Sequence, residues 1–445
     1  QIHLTKELKE KYTLLANKMN EKSLLHVPVI RQLLECFEIM ISEEEADFLL
    51  SVGEKKYEMS EFRQFYKGND EEYEKFMFGI FQKGLLWITE EEEKEPKVDD
   101  APQRQTAELA PIFPGWMEVC LFTKELSPKQ MQLLDKFCEL LKLEETINMP
   151  FVRMYWNRHK QKKIDAQAPP NMSVAVNSNA IDQALTGNVK STAIKEGSDA
   201  GKKKIAVGRK LESGVNQIIQ SGEVISILKK FGAQNKIALV HCFCRHINKV
   251  KGHDCQFHMP LEGCIAVGDF AKQMVKYHVG RYVTLDEAIE IVEDCQKKGA
   301  IHTVFHYGTD TRNPEICICN CCWDCCCLFG SYNAGGISNI FVQAHGKAVI
   351  ADEENCNGCN ICNHFCPTNA TGIDPETGKL FIREENCVGC GQCVSKCPKK
   401  VRIMEMGERS VYIRSLKKKE IRIAGYAGEE TKGRNNPGAL RKKKN

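Results

Sequence analysis

Through residues 1–90, apolar positions recur at three- and four-residue intervals among many charges, the pattern of helices that bury one stripe. The spacing predicts a helix near Val29–Met40 and another near Glu43–Ser51, where Ser42 and Glu45 make a capping box. Ser60 is expected to open a short helix. Asn69 opens another, which buries Tyr73, Phe76 and Ile80 and ends at Gly84; Leu85–Ile88 then reads as a strand. The acidic run Glu90–Glu93, with Pro96, Asp99 and Asp100, reads as a solvated tip. Order resumes at residues 111–118, and residues 128–148 form a further amphipathic helix. From 158 to 210, Lys, Gln, Ser, Asn, Gly and Ala dominate around Pro169-Pro170, the composition of a linker or long surface excursion. Gly214–Phe231 predicts a helix and Ile237–Val240 a strand. Thr284 and Glu287 cap a helix that ends at Gly299.

Helices followed by a strand and a charged tip resemble a winged helix. DNA binding does not follow from that. The would-be recognition helix opens Asn69-Asp70-Glu71-Glu72 and continues with Glu74, and carboxylates there would face phosphates. A structural or partner-docking role is expected, with no nucleic acid. Residues 405–445 read as a short strand-like stretch followed by a basic tail, with Lys417–Lys419 and Arg441–Lys444, that is expected to be solvated.

The net charge of +3 over 445 residues implies no particular partner, and the length suggests about three domains. No window offers the ~18 uninterrupted apolar residues of a membrane span. No signal-peptide pattern opens the chain, so a cytoplasmic protein is expected.

Cysteine changes the picture. Of 23 cysteines, 20 follow residue 240, mostly in tight clusters. Adjacent pairs such as Cys321-Cys322 cannot easily bridge each other, and a chain of this size with clustered CxxC spacing points to a reduced metalloprotein rather than a disulfide scaffold. One pattern occurs twice: Cys356-x-x-Cys359-x-x-Cys362-x-x-x-Cys366-Pro367 and Cys387-x-x-Cys390-x-x-Cys393-x-x-x-Cys397-Pro398. Thiolates at this spacing let one tight loop wrap three corners of a [4Fe–4S] cubane, and the fourth ligand comes from the other repeat. One cluster is therefore expected on Cys356, Cys359, Cys362 and Cys397, and the other on Cys387, Cys390, Cys393 and Cys366. Gly358, Gly389 and Gly391 free the backbone to turn N–H groups toward sulfur. Residues 350–404 resemble the bacterial two-cluster ferredoxins. Zinc is the lesser alternative, because a zinc site closes with four ligands and needs no doubled eight-cysteine layout.

Upstream lie Cys242-Phe243-Cys244-Arg245 with Cys255 and Cys264, whose thiol number equals one cubane's requirement. Beyond them, Cys317, Cys319, Cys321, Cys322, Cys325, Cys326 and Cys327 exceed it. The first set can hold one further cluster and the second another, or the two can share ligands. Structural or zinc thiols and a reactive dithiol are the competing readings. His241, His246, His253, His258 and Asp254 offer other ligands or supporting donors. Cys36, Cys120, Cys138 and Cys295 stand alone and are expected in the core, Cys295 continuing the stripe of Ala288 and Val292.

The stretches Cys242–Arg245, Pro260–Cys264 and Ile318–Cys327, followed by the ferredoxin motif, resemble a family of anaerobic iron–sulfur proteins with a winged-helix-like N-terminus. Trp323-Asp324 stands where that family usually has one small residue. The resemblance implies electron transfer inside a larger redox complex. The expected architecture is multidomain α+β. It comprises a winged-helix-like helical domain (1–125), a helical segment with a long polar linker (126–235), a cysteine-rich α/β cluster-binding domain (236–330), a two-cluster ferredoxin-like domain (331–404) and a basic tail (405–445). The expected function is a single-electron relay between other redox subunits of a hetero-oligomeric oxidoreductase. The alternatives are a catalytic reductase with an unusual cluster at 317–327, and a redox-sensing winged-helix regulator.

Overall fold

Capping sets where the N-terminal helices begin. In the computed structural model, which describes residues 4–23, 27–90, 105–123, 125–147, 170, 172–181, 222–232, 236–250, 252–307, 310–334, 341–413 and 422, Thr5 starts helix Lys6–Glu21 by accepting from Leu8 N–H. Ser42 with Glu45 starts Glu43–Val52, and Asn69 with Glu72 starts Asp70–Gln82, each as a reciprocal capping box. The short 3₁₀ helix Met59–Phe65 is capped by Glu58 with Glu61 rather than by Ser60. Helix Asp70–Gln82 buries Met77, Ile80 and Phe81. Tyr73 and Phe76, expected inside, are half-buried. They pack at the rim, where Phe76 meets Tyr66 at 4.8 Å and Phe48 at 5.1 Å between ring centroids. Strands β1 (Tyr57–Glu58), β2 (Leu86–Glu90) and β3 (Gln105–Leu109) form an antiparallel sheet in the order β1-β3-β2. Residues 91–104 lie outside the described set.

Helix Pro128–Ile147 packs on Arg31–Met40. Trp116, fully buried, stands edge-on between Phe37 (4.8 Å) and Phe137 (5.8 Å). Cys36 and Cys120 are buried as expected, and so is Cys295; the side chain of Cys138 lies outside the described residues.

From residue 172 onward the chain is built on one eight-stranded sheet. Its strands are β4 (Met172–Ala175), β5 (Ile237–His241), β6 (Glu262–Val267), β7 (Arg281–Tyr282), β8 (Ile301–His306), β9 (Glu315–Cys321), β10 (Phe341–Ile350) and β13 (Arg402–Tyr412). A separate hairpin joins β11 (Thr371–Ile373) and β12 (Leu380–Ile382). The order in the large sheet is β13-β10-β4-β8-β9-β6-β5-β7, antiparallel throughout except for β10 with β4. One face carries Ile237, Leu239, Ile265, Val267, Val304 and Ile318 against helices Val224–Gly232 and Leu285–Lys298. The period-two alternation of strands sends Cys264, Cys317, Cys319 and Cys321 to the other face. Gln273, on helix Gly268–Lys276, joins the two sheets. Its side chain accepts from Ile88 N–H (3.0 Å) and donates to Leu86 O (2.9 Å), covering the β2 edge while itself 1% exposed.

Three elements lie inside or across the expected segment bounds. The polar linker contains β4, which sits inside the sheet between β10 and β8 with all four residues buried. Its polar Ser173 is satisfied by His306 Nε2 at 2.8 Å, so a short strand with little apolar pattern can still be buried. Helix Cys327–Asn333 crosses the expected 330/331 boundary. Strand β13 runs eight residues past 404, because its ladder with β10 continues to Phe341↔Tyr412. Of the basic tail, Lys417–Lys419 and Arg441–Lys444 lie outside the described residues.

Glu35 gives this packing a measurable handle. Its side chain is 6% exposed and contacts Arg31 (2.7 Å) and Lys136 (3.0 Å). Burial works to raise its pKa, but the two cations outweigh it and hold the carboxyl below its usual value. Lys136→Met leaves that carboxylate without its Lys136 partner and should cost about 1–3 kcal/mol, read by urea unfolding at pH 7. A folded pKa below the unfolded one adds stability above pH ~4.5 that is lost as pH falls through the lowered value. The variant should therefore differ from the parent chain at neutral pH and converge on it in acid.

Candidate metal centres

The C-terminal unit repeats itself at an interval of 31 residues, cysteine for cysteine. Helix Ile361–His364 corresponds to Gln392–Ser395. The backbone repeats too: Gly358 matches Gly389, Asn360 matches Gly391 and Asn369 matches Lys400, all at positive φ. Asn360, Asn369 and Lys400 were not singled out in the sequence, since only the glycines advertise such a conformation. Asn is the commonest substitute there. N–H groups point at sulfur: Ala370 N lies 3.1 Å from Cys366 Sγ, and Cys390 Sγ accepts from Gln392 N–H.

Burial raises the pKa of Cys387, Cys390 and Cys393, and the nearby Cys366 adds to each shift. Burial likewise pushes Cys362 up to about 11, with Cys366 and Cys359 both among its neighbours. Arg402, 2% exposed, lies within electrostatic range of both Cys362 and Cys393, opposing their rise, and its guanidinium also reaches Thr371 Oγ1 at 3.3 Å. Enclosed thiols, inward N–H donors and a buried cation are the donor set an anionic iron–sulfur cluster requires, so the residues fit the group.

The upstream thiols come from four places. Cys264 sits on β6 directly opposite Cys319 on β9, with Cys317 and Cys321 on the same face of β9. Cys242 and Cys244 flank the start of helix Phe243–Val250, and Cys326 and Cys327 that of Cys327–Asn333. Thiol contacts close a ring: Cys242 to Cys264, Cys264 to Cys319, Cys319 to Cys321, Cys321 to Cys326, Cys326 to Cys244 and Cys244 to Cys242. Cys317 joins at 3.8 Å from Cys319, and Cys327 N–H donates to Cys244 Sγ at 3.2 Å. The ring borders a cleft of ≈ 80 Å³, which also takes in Trp87, Phe113 and Glu118 from the N-terminal half. Burial pushes the Glu118 carboxyl up to about 8, against the lowering bond from Gly115 N–H.

Arg245 is 4% exposed, and its Nη1 donates to Asn320 O at 3.0 Å while Nε and Nη2 have no partner. Burial opposes its charge, and Cys242, Cys322 and Cys264 favour it. Gly263 makes room, since a Cβ there would stand 2.7 Å from Arg245 Nη2. A buried guanidinium with two unsatisfied nitrogens among thiols is what an anionic cluster would satisfy, so this ring also fits the group.

The expected partition changes in one respect. Cys255 does not join Cys242, Cys244 and Cys264; it lies 3.5 Å from Cys322 Sγ and 3.9 Å from Asp324 Oδ1, with Cys325 beside them. The excursion of residues 252–260 between the two halves of the motif carries it away from the strand that holds Cys264. The alternation Cys317-Ile318-Cys319-Asn320-Cys321 was the available signal for a strand with three thiols on one face. Read as a dense run, it concealed that division. Of the histidines, His302 was not foreseen; burial lowers it to about 4 and its Nδ1 bonds Asn320 Oδ1 at 2.7 Å. His241 and His246 pack as a ring pair 6.4 Å apart, and Asp254, His253 and His258 fall outside the gathered ligand group.

An aromatic bridge connects this centre with the C-terminal loops. Trp323 Nε1–H donates to His364 O at 2.7 Å, inside the Cys362–Cys366 turn. Phe257 packs against Trp323, His364 and Phe365 at 5.4–5.8 Å. Arg422 lies 4.6 Å over the Trp323 ring and donates to Asn363 O (3.0 Å) and Cys366 O. Gly299, at φ +107°, ends helix Leu285–Lys298 where any Cβ would strike the Phe365 ring at 2.4 Å.

Among the described residues, no helix is long and apolar enough to cross a membrane. No curated protein and no solved structure matches the chain. Residues 348–398 match the family model of the 4Fe-4S dicluster domain, which implies two [4Fe–4S] clusters and an iron–sulfur electron-transfer role.

Proposed function

We propose that the chain is a single-electron relay in which the C-terminal thiol sets and the central thiol ring form one path, working as a component of a larger redox assembly. The observation that carries this reading is the Trp323–His364 bridge, which ties the 317–327 segment to the Cys362–Cys366 turn. One-electron transfer is the chemistry [4Fe–4S] cubanes supply when bound. Cys356, Cys359, Cys362 and Cys397 would hold one, and Cys387, Cys390, Cys393 and Cys366 the other. The central ring, with Cys242, Cys244, Cys264, Cys319, Cys321 and Cys326, would hold a further cluster, with Cys317 and Cys327 at its margin. Arg402 and Arg245 offset negative charge at the two centres, and Phe257 and Trp323 exclude water between them.

The N-terminal unit supports a docking role in this reading. Its sheet order is that of a winged helix, yet Asp70–Gln82 spends its apolar side on the protein itself, Phe81 stacking on Tyr277 at 4.9 Å. Its first turn presents Asp70, Glu71 and Glu72, which repel phosphate.

A second reading, catalytic reduction at the central ring, draws on Glu118. Its raised pKa keeps a proton on the carboxyl at neutral pH, within a cleft bordered by thiols, the position of a proton donor. Carbon monoxide or cyanide added to the reduced protein separates the two. The relay predicts an unchanged electron paramagnetic resonance spectrum, whereas an open coordination position predicts a shifted one, and Glu118→Gln would then lower reductase turnover by about 10²-fold or more.

The relay itself is tested by metal content. Anaerobic purification should return more iron and acid-labile sulfide than the about eight of each in two cubanes. Arg245→Leu should lose the excess and keep the dicluster signal. A parent protein with about eight irons would leave the central ring empty and overturn the relay.

A further inference from the structure

Four ligand atoms converge at one point beside the thiol ring, with Cys322 and Cys325 also lining its cleft. We propose that Cys255, Cys322, Asp324 and Cys325 form a separate site for one tetrahedral divalent cation, zinc or ferrous iron. This inference does not depend on the relay.

The geometry separates it from a cluster site. The three sulfurs and one carboxylate oxygen all lie within 4.8 Å of one another, and among the described residues no other set of three or more His, Cys, Asp or Glu ligands does so. Metal–sulfur bonds of about 2.3 Å around one tetrahedral ion leave the sulfurs ~3.8 Å apart; Cys255 and Cys322 stand at 3.5 Å. A cubane places each thiolate on a different iron, so its ligands must spread around a volume, as the ring thiols do around their cleft. The group is also oriented as a ligand set. Gln256 N–H donates to Asp324 Oδ2 at 2.8 Å, which leaves Oδ1 turned to Cys255. The N–H groups of Met259 and Phe257 are directed to Cys255 Sγ, and the Cys322 and Cys325 thiols point there as well. Three thiolates and a carboxylate exceed the charge of one divalent ion, and Arg245 lies close enough to Cys322 to offset part of the remainder.

The Trp323-Asp324 pair places a carboxylate between Cys322 and Cys325, and the same pair carries the indole that reaches His364. An ion here would tie the Cys255 loop to the 322–325 turn and hold Trp323 in place.

The test uses the full chain, purified without air and without added metal. Elemental analysis should find one zinc or iron per chain beyond the iron matched by labile sulfide. X-ray absorption at that metal should show three sulfur neighbours and one light atom; the absorbing element tells zinc from iron. The Cys255→Ser/Cys322→Ser double variant should lose that ion with labile sulfide unchanged. Asp324→Asn, which keeps three thiols and does not depend on the double variant folding, should release it to a chelator about 10- to 100-fold faster, the scale on which ligand-shell partners act. A parent chain whose iron is all matched by sulfide and which holds no zinc would overturn the proposal. So would a double variant that loses sulfide with its metal, since those thiols would then belong to a cluster.

Discussion

A guanidinium sealed among sulfur atoms governs the centre of this molecule. Arg245 makes no ion pair with a carboxylate among the described residues, and two of its nitrogens lack hydrogen-bond partners. A buried charge costs several kcal/mol unless it is compensated, and the sulfurs of Cys242, Cys322 and Cys264 beside it favour its charge. The neighbouring network is arranged not to compete. Asn320 joins Arg245, Gly263 and His302, and His302, driven by burial to a pKa of about 4, stays neutral and brings no second positive charge. Electrostatics therefore couples the fold of this region to what the thiols bind.

How far the sequence could be read depended on how locally each feature is encoded. The dicluster loops were fully legible, because their ligands recur within short segments and their spacing follows from the shape of a cubane. Helix starts at Ser42, Asn69 and Thr284 were legible for the same reason, each being a bond between residues three apart. What escaped depends on partners distant in sequence. Strand β4 has too few residues to show a pattern, and its burial is decided by β8 and β10. The separation of Cys255 from Cys264 depends on where the 252–260 excursion turns, and that is set by contact with Asp324. Cys264 and Cys319 become neighbours through strand register, which no count of thiols reveals.

The same sheet serves both halves of the chemistry. Toward β7 its strands carry the upstream thiols; toward β13 they bracket the dicluster loops, with β10 entering them and β13 leaving. A rigid shared frame fixes the spacing between centres, which a flexible linker would leave to diffusion. The bridge of Phe257, Trp323 and His364 fills the gap in that frame with aromatic rings rather than solvent.

The position of β4 has a consequence for assembly. This four-residue strand is the plank that joins the two ends of the sheet, parallel to β10 on one side and antiparallel to β8 on the other. Its partners lie more than a hundred residues further along the chain, so they must be synthesised before it can be seated. Closing loops of that size is slow compared with forming local turns. The thiol-bearing strands and the duplicated loops can thus each take shape while still unconnected, and insertion of the plank becomes the late event that brings them into one sheet.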